Sequence, residues 1–321
     1  MAIPGGTLSA FAAIGQREDL SDIIYDISPM DTPFLSNAKR GSAKAVYHEW
    51  QTDSLTAAAI NAHIEGDDAT TNTAVVTNRL GNYTQISTKV PRVTGTLQSV
   101  VTAGRADEMS YQISKSGREL KRDMEIALTG IQIGTAGGAG TARTLAGIGA
   151  WLSTNQAKSG ADTTTPPTTA GAPATAPTPG TAAAFTEVQL KACLASVWNS
   201  GGNPGVVMCG SANKQLASAF AGIGTQFRDA QPSGPVSPGS IIGAADIYIS
   251  DFGQCQIVAN RFMAAANVYA LDMEYWEVNS LRPIQTESLS KTGDSDRSMI
   301  LAEYTLSSLN ESASGKVYTT T

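Results

Sequence analysis

The sequence predicts an α+β chain in which a compact α/β lobe is joined to an extended arm, a long β-ribbon and one very long helix. Three observations predict it. Residues 18–38, EDLSDIIYDISPMDTPFLSNA, begin as an amphipathic helix and are then interrupted by two prolines. Residues 44–55 and 79–96 alternate in hydrophobicity with the period of a strand. Residues 105–131 hold a 3–4 residue apolar spacing throughout.

In the first stretch, Leu20, Ile23, Ile24 and Ile27 share one helix face. Pro29 and Pro33 each remove a backbone donor and bias the preceding residue toward extended geometry. The helix is therefore expected to stop near Ser28 and pass into an extended arm carrying Met30, Phe34 and Leu35. Such a proline-bearing segment is a poor central strand, so its large apolar side chains are expected to find their burial outside the chain's own core.

The ribbon follows. Val46, His48 and Trp50 alternate with Tyr47, Glu49 and Gln51, and further on Thr84, Ile86, Thr88 and Val90 are placed on one side. The residues between the two strands contain few large apolar groups, which reads as an elaborate tip. A two-stranded ribbon is marginal alone in water and needs a surface to lie on.

In 105–131 the apolar positions are Met109, Ile113, Leu120, Met124, Leu128 and Ile131, with Gly117 where one member is missing. Asp107 and Glu108 lie in the first turns and Lys115, Arg118, Lys121 and Arg122 further on, which broadly suits the helix dipole. At 1.5 Å per residue the helix would run roughly 40 Å, long enough to serve as a strut. GTAGGAGTART, 134–144, then reads as a flexible hinge, and Trp151 and Leu152 close a small apolar patch. Residues 157–184, rich in Pro, Thr and Ala, read as an exposed, mobile loop and not as a packed element.

The α/β lobe begins at Thr186, the expected N-cap of a helix that ends at Gly201. GVVMCG is a buried strand, and SANKQLASAFAGIG a second helix with Ser211 as its cap. Residues 241–263 read as a hairpin turning at Asp251–Gly253. ANVYALDMEYWEVNSL is a further strand and turn, and the segment from Arg297 onward is dominated by one long strand.

Composition narrows the function. The 321 residues are 41% hydrophobic but only 6% aromatic, and the net charge is −6. A general nucleic-acid-binding module would be basic. No run of about 18 apolar residues predicts a transmembrane helix, and the N-terminus lacks the pattern of a secretory signal. Cys193, Cys209 and Cys255 are isolated, odd in number and set in apolar contexts, as buried thiols in a reducing compartment would be.

Catalytic signatures fail one by one. The only histidines are His48 and His63. His63 and Glu65 form the H-x-E of zinc deaminases, but the P-C-x-x-C half is missing. Asp67 and Asp68 beside Gly66 read as a solvated turn. Ser211 and Lys214 with K-T-G at 291–293 resemble the elements of penicillin-recognising serine enzymes, yet the S-D-N element is absent and Ser211 is explained as a cap. The glycines at 134–140 match neither a P-loop nor a dinucleotide fingerprint. No catalytic residue, metal or cofactor is expected.

Arm, ribbon, strut and lobe occur here in an order that resembles the major capsid proteins of tailed bacteriophages with the Hong Kong 97-like fold. The matching stretches are DISPMDTPFLS, HEWQTDSL, IEGDDAT, RLGNYTQIS, GRELKRDME, AGIGAWLSTN, DFG…VANRF, EYWEVNSLRPIQTESLSKTGDS and EYTLSSLNE. The resemblance implies an N-terminal arm at 1–44, an extended E-loop at 45–94, and a peripheral domain with its spine helix at 95–156. The low-complexity loop 157–184 would follow, then an axial domain at 185–270 and return strands to the peripheral domain at 271–321.

It also implies a non-enzymatic shell subunit of the virion, assembled in the host bacterial cytoplasm. Hexamers and pentamers would form an icosahedral container for double-stranded DNA, with a portal, a scaffolding protein and possible decoration proteins as partners and no membrane. Inter-subunit contacts are expected at Ile24, Pro29, Met30, Pro33, Phe34, Leu35, Trp50, Ile64, Glu65, Asp67, Asp68 and Arg79. Lys115, Arg118, Lys121 and Arg122 are candidates to face DNA phosphates, against a plain reading as a solvated helix face. Some relatives crosslink through an E-loop lysine, but no lysine occurs between Ala45 and Thr88, so a non-covalent shell is expected. No long charged segment precedes the arm, so the scaffolding protein is expected to be separate. An encapsulin-type compartment is the alternative, ahead of a serine hydrolase and a tail-tube protein.

Overall fold

The structure, a computed structural model, describes residues 30–66, 68, 76–102, 104–158, 170–177, 184–220 and 246–318. Two cores organise them, one centred on each of two sheets, with Met208, Tyr269 and Leu271 of the second sheet also packed into the first core.

The first sheet is made around a long hairpin, β12 (Trp276–Leu289) with β13 (Ser295–Ser308). β1 (Lys39–Ser42) lies parallel to β12 at one edge. β4 (Gln85–Lys89) and β5 (Arg92–Thr94) pair successively with β13 at the other. Across one face runs α3 (Glu108–Thr129), whose Asp107 caps it by accepting from the Met109 amide. Of the expected apolar stripe, Leu120, Met124 and Leu128 are buried and pack with Ile300, Ala302, Tyr304 and Leu306 of β13. Met109 and Ile113 are half-buried, and Ile131 lies beyond the helix end. The alternate β13 residues face the opposite side, as the pleat demands.

The second sheet orders β6 (Gln156–Lys158), β14 (Gly315–Tyr318), β11 (Asn267–Leu271), β8 (Val206–Cys209), β10 (Gly253–Ala259) and β9 (Ile247–Ser250). α5 (Glu187–Asn199) packs Leu190, Cys193, Leu194 and Val197 into its core. Thr186 and Gln189 form a full capping box at its start, and Gly201, at φ +88°, follows its end. The expected hairpin turn lies between β9 and β10. All three cysteines are free and buried. Burial pushes the Cys193 thiol up to about 12 and Cys209 up to about 11, which leaves both inert.

The ribbon is β2 (Tyr47–Thr52) antiparallel to β3 (Asn78–Tyr83). Gly81 permits close packing of the two strands, since a Cβ there would meet the Tyr47 ring at 2.7 Å.

Several expectations are corrected. Residues 33–37 are not extended: they form a helical turn, α1 (Pro33–Asn37), with Pro33 in the first turn, where its fixed φ fits and its missing donor costs nothing. The strand expected across 79–96 is broken. The Thr84 amide bonds to Val46 O and its hydroxyl to Glu303, which ends the ribbon and starts β4 in another sheet. Thr84 is consequently buried while Ile86, Thr88 and Val90 face solvent, so the four do not share one side.

The expected hinge at 134–144 is a small hairpin held by paired backbone bonds between Thr135 and Thr144. Residues 157–184 are partly packed: β6 pairs with β14, β7 (Ala170–Gly171) adds to β3, and Pro173 and Pro177 are buried. α6 (Ser211–Ser218) is capped by Gly210, with Ser211 as its first residue. The last strand, 315–318, belongs to the second sheet and not to the return strands of the first. The helix expected at 20–27 lies outside the described residues.

Candidate assembly interface

The ribbon is fixed at its root and bare at its tip. At the root the Trp50 indole N–H donates to Ser308 O at 2.9 Å, and its ring lies 5.4 Å from that of Trp151. Asn82 is fully buried and bridges the ribbon to two other segments. Its amide donates to Leu306 O (2.8 Å) and Ala146 O (3.1 Å), and its oxygen accepts from the Ala146 amide at 2.9 Å. Beside it, the buried Glu303 carboxylate takes Arg143, Arg282 (2.8 Å) and the Thr84 hydroxyl (3.0 Å). One carboxylate thus ties the ribbon's end, the 134–144 hairpin and the long β-hairpin together. None of Asn82, Arg143 or Glu303 was expected from sequence. A polar residue at an inward strand position was the available signal for Asn82 and Glu303.

Beyond the root the chain leaves the body. Residues 53–64 have no regular structure, and Leu55, Ile60, Ile64 and Val76 are 99, 98, 81 and 82% exposed. Four large aliphatic side chains, each more than 80% exposed, lie along one loop, which is what a contact surface offers to a partner. Glu65 and Asp68 are exposed on the same loop, and Arg79 pairs with Glu49 across the ribbon at 3.0 Å.

The residues expected to meet a neighbour therefore divide. Met30, Ile64, Glu65, Asp68 and Arg79 are presented outward. Phe34 is not: it is fully buried in its own subunit, edge-on to Trp276 with ring centroids 6.4 Å apart. Trp50 is half-buried on Trp151, and Pro33 and Leu35 sit in the same docked turn as Phe34. The physical reason is Glu125. This buried residue of α3 accepts the Phe34 and Leu35 amides, each at 2.8 Å, and the Asn260 side chain at 2.7 Å, clamping α1 onto the long helix. Burial pushes its carboxyl above the ordinary range despite those donors. Ile24, Pro29 and Asp67 lie outside the described residues.

On the long helix, Lys115 and Lys121 are exposed. Arg118 and Arg122 are half-buried; the Arg118 guanidinium lies 3.3 Å from the Met30 sulfur, and Arg122 lies over the Phe262 ring. The lysines of the apparent serine-hydrolase set are engaged elsewhere. Lys214 donates to Ile257 O (2.6 Å) and Asp246 (3.0 Å), and Lys291 pairs with Asp296 (2.6 Å). Among the described residues no group of three or more His, Cys, Asp or Glu could hold a metal ion, and no helix is long and apolar enough to cross a membrane.

The chain is similar in sequence to a phage major capsid protein and in fold to capsid subunits. The chain is 28% identical to the major capsid protein of Escherichia phage Phieco32, over 95% of this chain and 94% of that one. The fold matches the capsid asymmetric unit of cyanophage A-1(L) with a TM-score of 0.64 at 13% identity, covering 95% of this chain and 97% of that one. It matches the capsid of a native GTA particle with a TM-score of 0.63 at 10% identity, covering 97 and 98%. The fold is therefore the Hong Kong 97-like capsid fold. The family model of the SU10 major capsid protein matches residues 6–321, so this chain, with its anchored ribbon and bare aliphatic tip, belongs to the SU10 major capsid protein family.

Proposed function

We propose that this phage major capsid protein closes into hexamers and pentamers and that these build an icosahedral shell around double-stranded DNA. The first sheet with α3 forms the peripheral domain, the second sheet forms most of the axial domain, and the ribbon tip lies across a neighbouring subunit. One observation carries the reading: the near-complete exposure of Leu55, Ile60, Ile64 and Val76 on a loop whose root is tied down. Burying each such side chain contributes about 1.5–3 kcal/mol. Ordering the loop costs on the order of 1–2 kcal/mol per residue. The tip therefore gains from a neighbour only together with backbone pairing and the cooperativity of a closed ring, which makes its order a property of the assembly.

The acidic balance of the chain, −6 overall, suits a container that must not adhere everywhere to its polyanionic cargo. A portal and a separate scaffolding protein are proposed partners. Decoration proteins accompany the major capsid proteins in the phage G structure, and a comparable partner is proposed for this shell. Assembly is proposed to take place in the host bacterial cytoplasm.

Electron microscopy of purified particles tests the reading directly. Icosahedral shells containing DNA are expected; helical tubes, or shells filled with an enzyme, would reject it. Replacing Ile60 and Ile64 together by serine is expected to abolish closed shells while leaving the subunit's own cores intact, and normal particle yield from that variant would refute the role given to the tip.

A further inference from the structure

A cleft of about 440 Å³ opens at the root of the ribbon. Its walls include Gln51 and Asp53 at the end of β2, Asn78 at the start of β3, Trp151, and the turn carrying Asn310 and Glu311. Among the described residues, two carboxylates of this cleft have no basic group in direct contact within the subunit. Asp53 and Glu311 both line it, no basic residue does, and among the described residues neither carboxylate has a Lys, Arg or His nitrogen within 4.0 Å. Glu311 is instead held by the Ser153 and Thr154 amides and the Thr154 hydroxyl, and burial pushes its carboxyl up against the lowering effect of those donors and of the Lys316 ammonium. The complementary group must therefore bring positive charge, as a basic peptide segment does.

The chain carries such a segment. β1 is an edge strand whose one described neighbour is β12, so the carbonyls along its other edge are available. Lys39, Arg40 and Lys44, on it and just after it, are exposed and form no ion pair among the described residues. Lys44 cannot reach Asp53 of its own subunit, because the extended strand 47–52 lies between them and spans about 20 Å at 3.3 Å per residue. A second copy can supply it, and a contact joining two different patches of one chain is the kind that closes rings.

We propose that the ribbon-root cleft is the receptor for the basic Lys39–Lys44 segment of a second copy of this chain. The segment's ammonium groups lie against Asp53 and Glu311 at the mouth of the cleft. The proposal rests on the self-assembly described above, and particle formation by the unaltered protein is the separate test of that reading.

The experiment has two arms. Particles assembled from a mixture of isotopically light and heavy subunits are treated with a carbodiimide, which joins carboxylates to adjacent amines. Links between Asp53 of one isotope and Lys44 or Lys39 of the other are expected. If Asp53 links only within its own chain, or to a different protein, while the 2.7 Å Lys89–Asp123 pair links normally, the proposal fails. In the second arm, Asp53→Lys and Lys44→Glu are each expected to lower particle yield at least about tenfold, and the double variant is expected to recover most of it. A double variant that assembles no better than either single one overturns the pairing.

Discussion

Replacing Glu125 by alanine is expected to release the start of α1 from the long helix. The carboxylate is fully buried and, among the described residues, makes no ion pair. Its three donors are the Phe34 and Leu35 amides and the Asn260 side chain. Because Pro33 opens the turn and Thr32 offers no side-chain cap, those two amides are helix-end donors that nothing else satisfies. Each buried donor left unpaired costs about 1–3 kcal/mol, so opening of the turn should become easier by a gross 2–6 kcal/mol. Removing a desolvated carboxylate returns part of that, which places the net effect at about 2–3 kcal/mol, or roughly 30- to 150-fold in the opening equilibrium. Hydrogen exchange of assembled particles, read by mass spectrometry on the peptide spanning 33–38, should show that acceleration. Glu125→Gln retains one acceptor oxygen and turns an amide toward a donor, so its effect should be smaller but in the same direction. Exchange in the alanine variant within about threefold of the unaltered protein would refute the clamp and leave the Phe34–Trp276 packing as what holds the turn.

The remaining predictions follow from single observations. Mature particles should dissociate to single subunits on a denaturing gel, because no lysine lies between Ala45 and Thr88 to form a crosslink; a subunit ladder would contradict this. Lys115→Glu with Lys121→Glu should weaken DNA retention as salt rises, since these are the exposed cations of the long helix, and retention unchanged at every salt concentration would leave them a solvated face. Burial raises both Glu125 and Glu311 above the ordinary glutamate value of 4.5. Their contribution to stability is therefore present below that value and lost as pH rises through the raised folded-state values. Denaturant midpoints across this window should fall less for Glu311→Gln than for the unaltered protein, and an identical pH profile would show that Glu311 does not titrate as assigned.

Local physics made part of this protein legible before any coordinates. The N-cap at Thr186, the central part of the α3 stripe and the hairpin between β9 and β10 are each written within a few consecutive turns or residues, and each forms as its residues dictate. The shortage of large apolar groups around the ribbon was legible as well, and with it the need for a neighbour. What escaped were outcomes decided by partners far along the chain. Phe34 reads as an arm residue until Glu125, 91 positions away, caps its turn and Trp276 meets its ring. Thr84 reads as one more strand residue until Glu303, 219 positions away, takes its hydroxyl.

The sequence by itself determined most of the elements, their order and which segments carry large apolar side chains, because periodicity and turn chemistry act over a few residues. Only the tertiary structure decided which of those apolar residues the subunit keeps and which it offers. It placed Phe34 inside and left Leu55, Ile60 and Ile64 bare. It also joined β2, Trp151 and the 309–312 turn into one acidic cleft. Burial belongs to the packed whole, and a side chain's fate depends on what the rest of the chain brings to it.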